Sequence, residues 1–169
     1  PTGVAYSREE LIEIGNVLEK YPHVWIMSDD IYEHLVYDGF KYFTIAEVVP
    51  SLISRTLTVN GCSKAYAMTG WRIGFAGGPS ILIKAMAKLQ SQSTTNPSSI
   101  SQAAAIEALI GPHKYLKERS LEFSKRRDLV VDSLNLTEGI KCLVPEGAFY
   151  VFPSCIKNFG KKTKGGNVI

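Results

Sequence analysis

Apolar and polar positions near the start of the chain predict a helix followed by a buried strand. Ser7 and Glu10 match the capping box that starts a helix, and apolar residues then recur at helical spacing up to about Lys20. Residues 24–27, with the sequence VWIM, form a short apolar run that stops abruptly at the polar residues 28–30. Such a run after a helix predicts a strand buried on both faces of a parallel sheet.

Two further strands are predicted by similar patterns. Residues 55–60 are rich in β-branched side chains and run into the small polar segment 61–64. Residues 72–78 form a third candidate strand, which glycines and Pro79 close.

Helical spacing dominates the next part of the chain. Residues 81–93 carry apolar side chains on one side, and Ser99 with Gln102 match a second capping box. That box would start an alanine-rich helix that stops at Gly111. The charge-rich residues 113–135 predict one long helix.

Strand signals return after this long helix. Residues 141–144 and 149–152 are predicted as strands, with a turn at residues 145–147 between them. The long helix is therefore expected to connect a large α/β unit with the start of a smaller domain. Both ends of the sequence look cut, because it opens without an initiator methionine and stops before a further element is complete.

Composition and charge narrow the class of function. The chain has 169 residues, of which 45% are hydrophobic and 21% charged, which is typical of a globular protein with one sizeable core. Its net charge of +3 is small and spread out, which argues against nucleic acid as the main partner. The lysines at 161, 162 and 164 are interpreted as a solvated loop.

Cysteine and histidine positions give no metal-ligand spacing, and three scattered cysteines are expected to be free thiols of a reducing compartment. No signal peptide and no membrane-spanning run is recognised, so the cytoplasm is the expected location.

Candidate chemistry lies where the predicted strands end. Asp29 follows one strand and Lys64 follows the next, and in an open parallel sheet ligands gather at the carboxyl ends of the strands. A lone lysine would ordinarily be a surface ammonium, but a lysine in such a crevice can form a Schiff base with a carbonyl. Arg72 adds a permanent positive charge suited to phosphate. An anion, an amine and a cation together match the ring nitrogen, aldehyde and phosphate of pyridoxal 5′-phosphate (PLP).

Four segments carry a resemblance to a known family. They are SDDIYE at residues 28–33, NGCSKAYAMTGWRIG at 60–74, PEGAFY at 145–150 and the opening PTG at 1–3. In this order and at these intervals they resemble the class I aminotransferases of PLP fold type I. Within that family they are most similar to the prokaryotic-type aspartate aminotransferases.

The resemblance implies a role for each matched residue. Lys64 would hold PLP as a Schiff base and, once released by substrate, move a proton between the substrate and the cofactor. Asp29 would pair with the ring nitrogen, although a turn or helix-cap aspartate is the plain alternative. Tyr32 would donate to the phenolic oxygen of PLP, although it could equally be a half-buried core tyrosine.

The remaining matched residues would position the cofactor. Ser63 and Arg72 would hold the phosphate, the alternatives being a turn hydroxyl and a surface salt bridge. Ile31 would pack against the face of the ring, a role that is hard to distinguish from ordinary core packing.

The resemblance also implies the fold and its domains. We expect an α/β protein with the three-layer PLP-transferase fold type I, in which a partial large domain has a mixed, mostly parallel sheet and is followed by the start of the small C-terminal domain. Residues 1–112 would form the C-terminal half of the PLP-binding large domain, residues 113–135 an interdomain helix, and residues 136–169 an incomplete small domain.

The expected activity is that of an aminotransferase, a transferase of nitrogenous groups in amino-acid metabolism. It would exchange an amino group between aspartate and 2-oxoglutarate by a ping-pong mechanism in a homodimeric parent enzyme, and this fragment alone would be inactive. Two alternatives stay open, namely another PLP reaction such as β-elimination by a lyase or a synthase reaction, and a non-catalytic α/β fragment. An open sheet edge and exposed apolar faces would favour self-association of the fragment.

Overall fold

A computed structural model describes residues 2–166 and 168. The chain divides into two compact units. The sheet unit comprises Tyr6–His34 and Lys41–Lys117. The α5 unit comprises Pro1–Ala5, Leu35–Phe40 and Glu118–Ile169. Pro1, which belongs to the PTG segment of the resemblance, lies outside the described residues, as do Asn167 and Ile169.

Helices and strands together make a mixed α/β structure, as the sequence predicts. The α-helices are α1 (Arg8–Glu19), α2 (Ile45–Val48), α3 (Ser80–Ser91), α4 (Ser99–Ile110) and α5 (Lys114–Asn135). The strands are β1 (Ile26–Asp29), β2 (Thr56–Gly61) and β3 (Gly74–Gly77). Short 3-10 turns occupy Pro50–Arg55, Thr69–Trp71 and Ile156–Asn158.

The three strands form one sheet in the order β1-β2-β3. β1 and β2 run parallel, with Asp29 opposite Val59. β3 runs antiparallel to β2, with Gly74 opposite Gly61. The carboxyl ends of β1 and β2 and the start of β3 therefore lie at one edge of the sheet.

The predicted first helix is confirmed, including its cap. The Ser7 hydroxyl accepts a hydrogen bond from the Glu10 backbone N–H at 3.2 Å, and the Glu10 carboxylate accepts one from the Ser7 N–H at 2.8 Å. The inner side of α1 packs into a core cluster with Leu11, Ile45 and Leu52 at its centre. Ile26 of β1 packs against this cluster, which fixes the helix to one face of the sheet.

The prediction that the first strand is buried on both faces is wrong for this chain. The strand runs two residues further than the apolar segment 24–27, and its side chains alternate in exposure. Ile26 faces the core cluster, whereas Met27 on the opposite face is 71% exposed. Trp25 is 53% exposed. Among the described residues, only one face of the strand is covered, because successive side chains point to opposite faces.

The second predicted capping box is also wrong. Ser98 is the N-cap of α4, so Ser99 is already helical, and no side chain caps the helix. The Gln102 side-chain amide instead donates to the Pro97 carbonyl at 3.0 Å. The predicted stop at Gly111 is confirmed, since its N–H closes the last turn.

The two strands predicted after α5 do not form within the described residues. The segment has only two isolated bridges, one between Lys141 and Ser154 and the other between Val36 and Gly147. Leu143 and Phe152, which a sheet would pack, are 76% and 70% exposed. A strand needs a hydrogen-bonded neighbour along its length, and here each bridge stops after one residue pair.

A buried arginine holds the α5 unit together. The Arg127 side chain is 7% exposed and donates to the Asp38 carboxylate at 2.6 Å and to the Pro145 carbonyl at 3.0 Å. It also pairs with Asp128 at 2.7 Å, and its guanidinium lies 5.0 Å from the centre of the Tyr37 ring. These contacts connect α5, residues 35–40 and the PEGAFY segment.

The turn at residues 145–147 is anchored to the beginning of the chain. The Gly147 N–H donates to the Gly3 carbonyl at 2.9 Å, and the Glu146 carboxylate accepts from the Ala5 N–H at 3.2 Å. Gly3 has φ +76°, and a Cβ there would lie 2.4 Å from Cβ of Pro145. Only glycine fits this position without strain.

Among the described residues, no helix combines the length and the apolar character needed to cross a bilayer. No group of three His, Cys, Asp or Glu side chains in the same residues could hold a metal ion. Cys62, Cys142 and Cys155 are free thiols, and the first two are buried.

The close approach of β2 and β3 gives a testable prediction. A Cβ at Gly61 would lie 3.1 Å from both the Gly74 Cα and the Ile73 carbonyl oxygen, so Gly61→Ala must push the strands apart. We expect a loss of about 1–2 kcal/mol in the free energy of unfolding of the complete protein, measured by urea denaturation. Gly77→Ala in the same sheet is the control, since a Cβ at Gly77 meets no atom within 4 Å. Equal stability of the two variants would contradict this packing.

A second prediction concerns pH. The hydrogen bond from Arg127 holds the pKa of the Asp38 carboxyl below its usual range. A lowered pKa adds stability above the unfolded-state value of about 4, and this stability is lost as the pH falls through the folded-state pKa. Asp38→Asn should therefore be less stable than wild type at pH 7, and the difference should shrink below about pH 4. Thermal unfolding between pH 7 and pH 3 measures this, with the exposed Asp132→Asn as control; a difference independent of pH would refute it.

Candidate functional site

The residues that the sequence singles out lie at one edge of the sheet. Asp29 is the last residue of β1, and Ser63 and Lys64 follow the end of β2 directly. Arg72 lies two residues before β3, whose start pairs with the end of β2. Parallel pairing of β1 with β2 and antiparallel pairing of β3 thus bring a carboxylate, an amine and a guanidinium to the same edge.

Lys64 lies beside Tyr32 in this group. The Lys64 ammonium nitrogen is 5.9 Å from the centre of the Tyr32 ring, and both side chains are half-buried. A cation at this distance from an aromatic ring is attracted to it. The amine and the phenol are therefore neighbours, as the resemblance implies.

Two adjacent aspartates, Asp29 at the end of β1 and Asp30 just after it, have different surroundings. Asp29 is exposed, and its carboxylate accepts a hydrogen bond from the Ile31 N–H at 3.4 Å. Asp30 is only 3% exposed, and its carboxylate accepts from the Ser28 hydroxyl at 2.6 Å and from the Tyr42 hydroxyl at 2.8 Å. Because side chains alternate along a strand, the exposed Asp29 is the carboxylate that can meet a ligand.

Ile31 extends over the end of β2. A Cβ at Gly61 would lie 3.5 Å from the Ile31 Cδ1, so the isoleucine covers the backbone that leads to Ser63. Its side chain is half-buried, which is compatible both with the predicted contact to a ring and with core packing.

Thr69 connects the two residues predicted to hold phosphate. Its hydroxyl donates to the Ser63 carbonyl at 3.0 Å, and its own carbonyl accepts from the Arg72 guanidinium at 2.9 Å. The Ser101 hydroxyl of α4 donates to the Trp71 carbonyl at 2.8 Å and anchors the same loop. The loop therefore holds the Ser63 backbone and the Arg72 guanidinium at the sheet edge.

Arg72 adopts a backbone conformation that is uncommon for a side-chain-bearing residue. Its φ of +51° lies in the left-handed region. Such strain persists only where the surrounding structure imposes it, and it is frequent at ligand-binding sites. Because Arg72 is exposed, the turn at Thr69–Trp71, and not burial, sets the position of its guanidinium.

Several neighbours of this site were not singled out from the sequence. The Asn60 amide donates to the Glu33 carboxylate at 2.7 Å, and the same carboxylate lies 3.4 Å from the His34 ring nitrogen. The Tyr66 ring contacts the His34 ring edge-on, and burial raises the pKa of the Tyr66 hydroxyl. The spacing of Ser28 and Asp30, two residues apart, is a sequence signal for the buried Asp30 carboxylate. Its second donor, Tyr42, lies twelve residues away in the chain, where no local pattern would find it.

The α5 unit has a cavity of about 240 Å³, lined among others by Phe123, Arg127 and Phe149. None of the predicted site residues lines it.

The donor set at the sheet edge fits PLP chemically. The cofactor needs an anion for its ring nitrogen, an amine for its aldehyde and hydroxyl and cationic donors for its phosphate. Asp29, Lys64, Ser63 and Arg72 supply these groups from consecutive strand ends. Tyr32, beside Lys64, adds a phenol that can donate to the oxygen of the ring. The individual roles of these residues stay predictions.

Comparisons with known proteins identify the family of the chain. The chain matches the family model of aminotransferase class I and II over residues 1–163. It is 59% identical over 169 residues to an aspartate aminotransferase of Rhizobium meliloti (strain 1021), of which it covers 41%. It is 57% identical to a probable aspartate/prephenate aminotransferase of Rickettsia felis, again covering 41%. The chain thus spans about two fifths of the length of these relatives.

Solved structures show the same likeness. The crystal structure of the aspartate aminotransferase from Rhizobium meliloti superposes with a TM-score of 0.97 at 58% identity, over 100% of this chain and 42% of that one. An aromatic aminotransferase from Pyrococcus horikoshii superposes with a TM-score of 0.85 at 39% identity, over 90% of this chain and 41% of that one. The predicted partial PLP-transferase fold type I is thereby confirmed. The chain belongs to the class I and II aminotransferases, a family of PLP-dependent enzymes.

Proposed function

We propose that the complete protein carrying this chain transfers an amino group from aspartate to a 2-oxo acid by a ping-pong mechanism. The observation that carries the proposal is the placement of Lys64 just past the end of β2, beside the parallel β1 that ends in Asp29. The identity of the chain to aspartate aminotransferases supports the same activity.

Lys64 is the residue proposed to bind the cofactor covalently and to act on the substrate. Bound PLP supplies an aldehyde carbon for an amino group and a ring that withdraws electrons from the substrate α-carbon. The Lys64 amine, once free, would be the general base that takes the proton from the α-carbon and carries it in the exchange.

The other matched residues hold and orient the cofactor. The Asp29 carboxylate keeps a proton on the ring nitrogen, and the Tyr32 hydroxyl donates to the phenolic oxygen. Ser63 and Arg72 bind the phosphate, and the hydrogen bonds through Thr69 keep both residues in place. Ile31, whose side chain extends over the end of β2, would cover one face of the ring.

Two compounds are candidates for the acceptor of the amino group. The resemblance to the prokaryotic-type aspartate aminotransferases implies 2-oxoglutarate, whereas several relatives of similar identity carry the name aspartate/prephenate aminotransferase. We propose aspartate as the donor in both cases. Parallel assays with 2-oxoglutarate and prephenate as acceptors, following oxaloacetate, separate the two.

Assembly and location follow as further proposals. We propose a homodimer of the complete protein in which each subunit completes the site of the other, and no sustained transamination by the 169-residue chain alone. Large apolar side chains exposed in this chain, such as Met27 and Leu89, support the need for covering partners. Free thiols support a reducing compartment such as the cytoplasm.

Substitution of Lys64 tests the central step. In the complete protein, Lys64→Ala should abolish the visible absorbance band that added PLP produces and lower transamination by about a thousandfold or more, because covalent binding and proton transfer both need the amine. Lys84→Ala, at an exposed position of α3, is the control and should change neither. A band and an activity that survive Lys64→Ala would refute the proposal.

A further inference from the structure

Asp30 is a buried carboxylate directly behind the candidate site. It is 3% exposed, and its carboxylate accepts hydrogen bonds from the Ser28 and Tyr42 hydroxyls at 2.6 and 2.8 Å. Its backbone N–H donates to the Val59 carbonyl at 2.8 Å, which ties the residue to β2. A buried carboxylate costs free energy unless it is hydrogen-bonded. The two hydroxyl donors satisfy the carboxylate, and together with the backbone bond they fix the position of the residue.

Asp30 cannot replace Asp29 as the ligand-facing carboxylate. Successive side chains at the end of a strand point to opposite sides, and Asp29 is exposed whereas Asp30 is enclosed. Their Cα atoms are nonetheless only about 3.8 Å apart, so the charge of one acts on the surroundings of the other.

The Tyr42 hydroxyl lies close to several carboxylates. Burial, the hydrogen bond to Asp30 and the nearby charges of Asp30, Glu33 and Asp29 raise its pKa far above the ordinary value. Tyr42 therefore stays a neutral donor to Asp30 at any ordinary pH. The charged groups that act on the Tyr42 hydroxyl beside Asp30 are Asp30 itself, Glu33 and Asp29.

We infer that Asp30 is a positioning residue: its buried carboxylate, held by Ser28 and Tyr42, fixes the end of β1 and adds a second negative charge behind Asp29. This inference rests on the proposed function, because the charge acts on a cofactor bound at Asp29. A fixed anion stabilises nearby protonated nitrogens and so raises their pKa. Two carboxylates, one in contact and one buried, would together keep the proton on the cofactor ring.

Removal of the charge without loss of shape tests the inference. Asp30→Asn keeps the volume and an oxygen that accepts from both hydroxyls. In the complete protein loaded with PLP, the pH midpoint of the visible cofactor band should fall by about half a pH unit, as expected for one charge lost within about 10 Å. The dissociation constant for PLP should rise about threefold, which corresponds to a similar free energy.

Tyr42→Phe provides an independent test should Asp30→Asn fail to fold. Loss of one donor leaves the Asp30 carboxylate in place but loosens its hold on the end of β1, so the band midpoint should move in the same direction by a smaller amount. The controls are Asp132→Asn and Tyr6→Phe, at exposed positions of α5 and before α1, and both should match wild type.

The outcomes separate this inference from the proposed function. If the variants fold and bind PLP with the midpoint and affinity of wild type, or only lower the thermal midpoint, Asp30 is merely structural and the inference is overturned. In that case the aminotransferase proposal stands. If wild type gives no PLP band, or Lys64→Ala keeps it, both are overturned.

Discussion

Parallel pairing of β1 with β2 is the constraint on which the rest of the site depends. It brings the last residue of β1 and the segment after β2 to one edge, since parallel strands end on the same side. A slip of one residue in this register would turn the Asp29 carboxylate to the face that packs on α1 and Asp30 to the open face. The alignment of Asp29 with Val59 therefore decides which carboxylate a ligand can reach.

Several interactions hold this register. Ile26 packs against the cluster of Leu11, Ile45 and Leu52, so α1 packs on one face of β1. Asp30 secures the end of the strand through two hydroxyl groups and a backbone bond to β2. Cores of this kind contribute most of the stabilisation, whereas the polar contacts at the strand end select one arrangement among close alternatives.

The sequence predicts structure well where contacts between residues close together in the chain determine it. The cap of α1 joins Ser7 and Glu10, three residues apart, and it forms as predicted. The placement of the site residues at strand ends could also be predicted, because a change from apolar to polar residues marks such an end. Family motifs then added the chemistry that a single lysine could not indicate.

Features that depend on distant partners could not be predicted in the same way. Residues 141–152 have the composition of strands, but the described chain offers them only isolated bridges. The prediction that β1 is buried on both faces is wrong for the same reason, because no layer among the described residues covers Met27. Which of two adjacent aspartates is buried depends on Tyr42, which no local pattern connects to them.

A crystal structure of the complete protein with PLP bound measures the central claim most directly. We expect the ring nitrogen within about 3 Å of an Asp29 carboxylate oxygen, the Lys64 nitrogen at the aldehyde carbon and the phosphate within hydrogen-bond distance of Ser63 and Arg72. A cofactor bound elsewhere, or one whose ring nitrogen contacts a group other than Asp29, would contradict it.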